Sequence, residues 1–282
     1  MDSSGKENCR VREVECRSVL NKSGLADYAI NCYAGCEHGC VYCYARFATR
    51  FSHPGEPWGS FVDVKANAPQ VLAREVKRKR LGRVFLSSVC DGWQPGEAQY
   101  GLTRQCLEML LRYRFPVSIL TKNALAERDF DLLTSSKDKV EFGVTITTLD
   151  ESLRQLVEPQ SSPSVERLRV LQEAGRLGIR TYAFLGPLMP GLSDSDENVA
   201  QLLEAVKDAG IDYCYVDRLN PRFGVWTSLK GMLQKRFPHL VEVYRKLLYD
   251  VGAREEYSVR LIQSINALAR RQGLDDKIVL CF

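Results

Sequence analysis

Six short apolar runs, each followed by a polar loop and three of them by a clear helical stripe, constrain this chain more than any other feature. They are Asp27–Tyr33, Val84–Cys90, Pro116–Thr121, Val140–Thr147, Ile179–Leu185 and Asp212–Asp217. Each is strand length, and most are rich in β-branched or aromatic residues. Between them apolar residues recur at helical spacing. Leu102, Cys106, Leu107, Leu110 and Leu111 mark one stripe; Leu168, Leu171 and Leu177 mark a second, with Gly175 and Gly178 as stop signals. Leu202, Leu203, Val206 and Ala209 mark a third. Strands alternating with helices predict a parallel sheet built from βαβ units, an α/β fold. Six such units suit a partial or complete barrel. Residues 1–25 read as a polar lead-in, 26–225 as the core, and 226–282 as a helical cap with a short terminal strand over Lys277–Phe282.

A length of 282 residues suits one large domain. No apolar run approaches the ~20 residues that span a bilayer. The first eight residues, Met1–Asn8, are polar and carry no signal-peptide apolar region. The expected location is therefore the cytoplasm, with no membrane partner. Ten cysteines in a reducing compartment favour metal binding or catalysis over disulfides. A net charge of +4 permits an anionic substrate without demanding nucleic acid.

In parallel α/β folds the reactive end is where strands run into loops. The first such loop holds Gly35-Cys36-Glu37-His38-Gly39-Cys40-Val41-Tyr42-Cys43-Tyr44. Three thiolates spaced C-x3-C-x2-C can hold a four-iron, four-sulfur cluster and leave one iron without a protein ligand. Four-cysteine sites close such a cluster; an open position admits chemistry. The competing reading is a four-thiolate zinc site that adds Cys32, although zinc loops usually come as paired C-x2-4-C arms. The other strand ends carry Asp91–Glu97, Lys122-Asn123, Thr147-Thr148, Gly186–Gly191 and Arg218–Arg222.

These residues resemble the radical S-adenosylmethionine (SAM) superfamily, whose signature is C-x3-C-x2-C followed by an aromatic, here Tyr44. More closely, the chain is similar to the spore photoproduct lyase-like branch, often described as DNA repair photolyases. Ser18–Lys22, Asn31–Phe47, Asp91–Glu97, Thr121-Lys122, Arg128-Asp129, Glu158-Pro159, Ser164–Leu168 and Pro187–Asp194 carry the likeness. It runs from about residue 16 to about 225. The resemblance implies a partial (β/α)6 TIM-type barrel with parallel strands. It implies that Cys36, Cys40 and Cys43 ligate a 4Fe–4S cluster whose open iron chelates SAM. One electron from a reductant such as flavodoxin or ferredoxin would then give methionine and a 5′-deoxyadenosyl radical, which abstracts hydrogen from a substrate. It further implies roles for the rim residues. Tyr44 packs near the adenine, and Lys122 pairs with the SAM carboxylate. Cys90 and Asp91 lie near the SAM amino group, Thr145 and Thr147 face SAM, and Pro187 lies against the nucleoside. Tyr42 and Tyr44 flank the last cluster cysteine as in the lyases, which gives them, with Cys90, catalytic parts. Cys32 replaces the proline common after Asn31. The lyases' hydrogen-donating cysteine aligns with Ser88, two residues before Cys90. Either Cys90 takes over that role or the chain does not repair DNA, so the substrate stays unidentified.

Plainer readings stand beside these. Cys90 can equally be a small core residue. Cys106 and Cys214 read as core, and Cys281 has no assigned role. Lys77-Arg78-Lys79-Arg80 reads as a solvated face at the pole away from the loops rather than a DNA contact. Arg218 and Arg222, on the rim, are better placed for an anion. Glu37 and His38 can tune a cluster by hydrogen bonding, and Trp93 can stack on a ring or simply pack.

Overall fold

The computed structural model describes residues 9–222 and 224–282. The first eight residues of the polar lead-in lie outside them. Among the described residues, eleven strands form two sheets. In chain order these are β1 (Arg10–Val14), β2 (Leu20–Lys22), β3 (Tyr28–Ile30), β4 (Tyr33–Gly35), β5 (Phe61–Lys65), β6 (Val84–Leu86), β7 (Val117–Thr121), β8 (Val140–Ile146), β9 (Arg180–Leu188), β10 (Tyr213–Arg218) and β11 (Ile278–Leu280). The larger sheet runs β11-β10-β9-β8-β7-β6-β3-β2. Its six central strands, β3 and β6 to β10, pair in parallel. β11 extends one end in parallel, and β2 closes the other end antiparallel. The fold is thus α/β with a mostly parallel sheet, as the strand–helix alternation predicts.

Helical crossovers Ala68–Glu75, Leu102–Arg112, Ser164–Arg176 and Asp196–Asp208 pack against this sheet. Alternate strand residues such as Val84, Leu86, Val117, Ile119, Phe142, Val144, Ala183 and Val216 share a buried core with Leu107, Leu110, Val170, Leu171 and Leu202. The residues between them face the other side of the sheet, because side chains alternate along a strand. That inward set includes Thr145, Tyr182 and Tyr215. Tyr182 stacks on Tyr213 with ring centroids 5.2 Å apart. No helix among the described residues is long and apolar enough to cross a membrane.

Four local differences from the sequence reading have physical causes. The first run is not one strand. β3 stops at Ile30, and Tyr33–Gly35 turns off into a second sheet of order β1-β5-β4. β5 escaped notice because Asp63 interrupts its apolar pattern. In the fold that carboxylate is buried but bonded by Arg12 and His53. The lead-in supplies β1 and β2, and β1 finds its partner only at Phe61–Lys65. The second barrel strand ends at Leu86 rather than Cys90, because Ser87 adopts a left-handed φ of 70° and redirects the chain. The helices Val225–Arg236, Val241–Tyr249 and Val251–Gln272 follow the barrel. The terminal strand β11 joins the barrel sheet itself, beside β10. In the basic run Lys77, Arg78 and Arg80 are exposed, while Lys79 is bonded to Glu75 and the Leu20 carbonyl.

Candidate metal centre and its rim

The cysteine loop hangs from the end of β4. Gly35 there has φ +88°, and a Cβ on it would collide with the Phe61 carbonyl oxygen, so only glycine lets the chain leave the small sheet at this point. Two turns follow: Gly39 N donates to Cys36 O at 3.3 Å, and Cys43 N to Cys40 O at 3.2 Å. Val41 N donates to Val157 O at 3.0 Å, which ties the loop to the helix after β8. Cys36 and Cys40 are buried and Cys43 is half-buried. Burial pushes the Cys40 thiol up to about 12 against the pull of Lys122, and it raises Cys36 and Cys43 as well.

Cys32 does not join them. Its Sγ donates to Cys106 Sγ at 3.6 Å inside the barrel core. The four-thiolate zinc alternative is therefore not assembled. Among the described residues, no three His, Cys, Asp or Glu side chains converge on a single ion. The surroundings instead suit a larger anionic centre. Arg46 Nε and Gln94 Nε2 are buried without a hydrogen-bond partner. Arg46 follows Cys43 by three residues. Burial lowers its pKa while the thiols of Cys43 and Cys40 pull it up. Gln94 is held beside Cys36 through Glu37 N, which donates to its Oε1 at 2.8 Å. Burial also opposes the charge on Lys122, but the thiols of Cys40 and Cys43 with Glu158 and Asp91 outweigh it and raise its pKa. The unpartnered donors of Arg46 and Gln94 and the charge of Lys122, set beside three thiols, make sense once thiolates and sulfides supply acceptors there. The residues present fit a cluster.

Two buried networks frame this loop. In the first, Asp91 accepts from Thr121 Oγ1 at 2.7 Å, Lys122 N at 2.8 Å and Trp93 N at 2.9 Å. His38 Nδ1 lies 3.4 Å from the same carboxylate, and burial lowers His38 to about 4, so the ring is neutral. The Trp93 indole is fully buried and donates to Asp129 Oδ2 at 2.8 Å. Packing is thus its part, and no face is left for stacking on a substrate ring. In the second network Glu158 is fully buried. It accepts from Tyr42 OH, from Thr147 Oγ1 at 2.8 Å and from Arg167 Nη2 at 2.5 Å. Despite burial, the Arg167 and Lys122 charges hold Glu158 down to about 2.

The sequence-derived rim residues do gather around the loop, but several are already engaged. Thr147 Oγ1 donates to Glu158 and sits 2.9 Å from Gly186 O, beside Pro187. Thr145 is buried, and its carbonyl accepts from Arg167 at 2.8 Å. Tyr44 OH donates to Ser88 O at 2.8 Å, which binds the cluster loop to the second-strand loop. Arg222 lies over Phe47 and Tyr44, at 5.0 and 5.8 Å from the ring centroids. Cys90 Sγ points to Asn31 Oδ1 at 3.6 Å, and burial pushes its thiol up to about 12. Asn31 also donates to Ser88 Oγ at 3.0 Å. Asn31, Gln94 and Arg167 had no role in the sequence reading. Gln94 and Arg167 are fully buried, and nothing local in the sequence marks either of them. A groove of about 860 Å³ opens at the opposite pole, lined by Arg83, Lys139, Glu141 and Arg180, where strands begin rather than end.

Comparison with known proteins meets this geometry from another side. The sequence model described as the Radical SAM superfamily matches residues 30–217. An uncharacterized protein of Methanocaldococcus jannaschii is 33% identical over 234 residues, 82% of this chain and 85% of that protein. An uncharacterized protein of Mycobacterium tuberculosis is 32% identical over 246 residues, 83% of this chain and 72% of that protein. Lipoyl synthase of Caldicellulosiruptor saccharolyticus is 23% identical over 234 residues, 81% of this chain and 75% of that protein. The solved structure of spore photoproduct lyase complexed with dinucleoside spore photoproduct aligns with a TM-score of 0.68 at 15% identity, covering 96% of this chain and 82% of that one. The last likeness is one of fold.

Proposed function

The chain belongs to the radical SAM superfamily, which uses a 4Fe–4S cluster and SAM, and on that footing we propose that it is an enzyme that cleaves SAM reductively and uses the resulting 5′-deoxyadenosyl radical to abstract hydrogen from a substrate. The observation that carries this reading is the loop of three free thiols, two buried and one half-buried, with the unpartnered donors of Arg46 and Gln94 beside it. When bound, the cluster supplies one electron, taken from a flavodoxin- or ferredoxin-type reductant. The chain's own residues do the rest. Cys36, Cys40 and Cys43 hold the cluster. Lys122, whose charge is felt by Cys40 and Cys43, pairs with the SAM carboxylate in this reading. Asp91 accepts Lys122 N and Thr121 Oγ1, so its first task is to set the strand end from which Lys122 projects. Tyr42 and Thr147 are engaged by Glu158, so their task is to hold the floor of the site rather than to meet substrate. Buried Trp93 and Tyr42 keep water out.

Anaerobically reconstituted protein given SAM and dithionite is expected to form 5′-deoxyadenosine and methionine. Full iron loading with neither product sinks the proposal.

Cys90 is the rim thiol closest in kind to a hydrogen donor. Burial keeps it as S–H, the form from which a hydrogen atom can pass to a product radical. With the substrate in hand, Cys90→Ala is expected to leave 5′-deoxyadenosine formation in place and change the product distribution. An unchanged distribution removes Cys90 from the chemistry and leaves it a packing residue. Lyase-type repair of a DNA photoproduct is the narrower version of the same proposal, and it needs Cys90 to pass this test.

A further inference from the structure

Gln94 carries an assignment that no strand-end pattern suggests. Its side chain is fully buried. Glu37 N donates to Gln94 Oε1 at 2.8 Å, and Gly96 N donates back to Glu37 Oε2 at 2.6 Å. This reciprocal pair stitches the second-strand loop to the peptide that follows Cys36. It also fixes which end of the amide is which. Only an oxygen can accept Glu37 N–H, so the NH2 must occupy the other position. That Nε2 is the one polar atom of Gln94 without a partner, since its backbone N donates to Asp91 O and its backbone O accepts Glu97 N. The surrounding loop abuts Cys36, whose thiol feels the carboxylate of Asp91, three residues before Gln94. A dry amide donor beside a cluster ligand is a poor choice for a packing residue, because apolar side chains of that size bring no unmet hydrogen bond.

Resting on the cluster reading above, we propose that Gln94 is a positioning residue whose Nε2–H donates to a cluster sulfur at the Cys36 corner and holds the reduction potential up. A donor to sulfur stabilises the extra negative charge of the reduced state, and such bonds are one of the settings of iron–sulfur potentials. Oε1 does the mechanical part by holding the loop, and Nε2 the electrostatic part.

The test uses holoprotein with the whole chain. In wild-type protein labelled with ¹⁵N-glutamine, electron–nuclear double resonance of the reduced cluster is expected to show a ¹⁵N coupling from a side-chain amide. Gln94→Met is expected to lose that coupling and to lower the midpoint potential by about 59 mV, a tenfold change in a one-electron equilibrium constant. Gln94→Glu keeps an acceptor for Glu37 N and is expected to lose the coupling as well. A wild-type cluster with no amide coupling overturns the assignment and leaves the proposed function standing, and it does so even if neither variant folds. An unshifted potential in Gln94→Met with the cluster intact overturns it too. Wild-type protein that assembles no cluster overturns both.

Discussion

Cys40→Ala is expected to abolish cluster assembly and 5′-deoxyadenosine formation together, each by more than about 100-fold, beyond what losing a supporting residue does. The thiol is buried in a two-turn loop, and two remaining thiolates cannot hold a four-iron centre. The fold has little reason to follow. Both loop turns are made by backbone groups, Gly39 N to Cys36 O and Cys43 N to Cys40 O, and Val41 N keeps its bond to Val157 O. Cysteine to alanine removes one sulfur from a site already walled by Tyr42, Leu153 and Val157. Iron analysis, visible absorbance and a thermal melt on one preparation separate the effects. A Cys40→Ala protein that retains iron and makes 5′-deoxyadenosine would show that Cys40 is not a ligand.

Arg167→Met is expected to be the most damaging change to stability, about 3–5 kcal/mol. Arg167 and Glu158 are both fully buried. Arg167 also donates to the carbonyls of Ser162 and Thr145, each at 2.8 Å. Its loss leaves the buried carboxylate with hydroxyl donors and the more remote charge of Lys122. The pH dependence has a definite sign. Glu158 is held at about 2 in the fold, below the ~4.3 of an unfolded chain. Its contribution is therefore complete above about 4.5 and is lost as pH falls toward 2. In Arg167→Met the carboxyl titrates higher than in the wild type, so the difference between variant and wild type is smallest in acid and grows as pH rises. Denaturant titrations at several pH values read both. A difference below about 1 kcal/mol at pH 7 would mean that neighbouring hydroxyls suffice for Glu158.

How much of this was legible in the sequence divides by range of interaction. The six barrel strands could be read because each is a local pattern, and Cys36, Cys40 and Cys43 because their spacing is local too. Lys122 and Asp91 could be placed on one rim because the strand order follows the chain order. What the sequence hid are pairings across that rim. Tyr42 meets Glu158 at a separation of 116 residues, and Trp93 meets Asp129 at 36. Nothing local marks Tyr42 as a hydrogen-bond donor to a buried carboxylate rather than a residue facing substrate. The split of the first strand was hidden likewise. It depends on β5, whose buried Asp63 reads as a surface charge until Arg12 and His53 are seen beside it.

Among the described residues the ends of the barrel sheet are β11 and β2, and no ladder joins one to the other. A closed barrel admits to its centre only what fits through its mouth, so the strand count limits the guest. An unjoined seam removes that limit along one side. On the function proposed above, the hydrogen abstracted can then belong to a side group of something far larger than the lumen, presented laterally while the bulk stays outside. Screening for the substrate should therefore include polymers and whole proteins alongside metabolites.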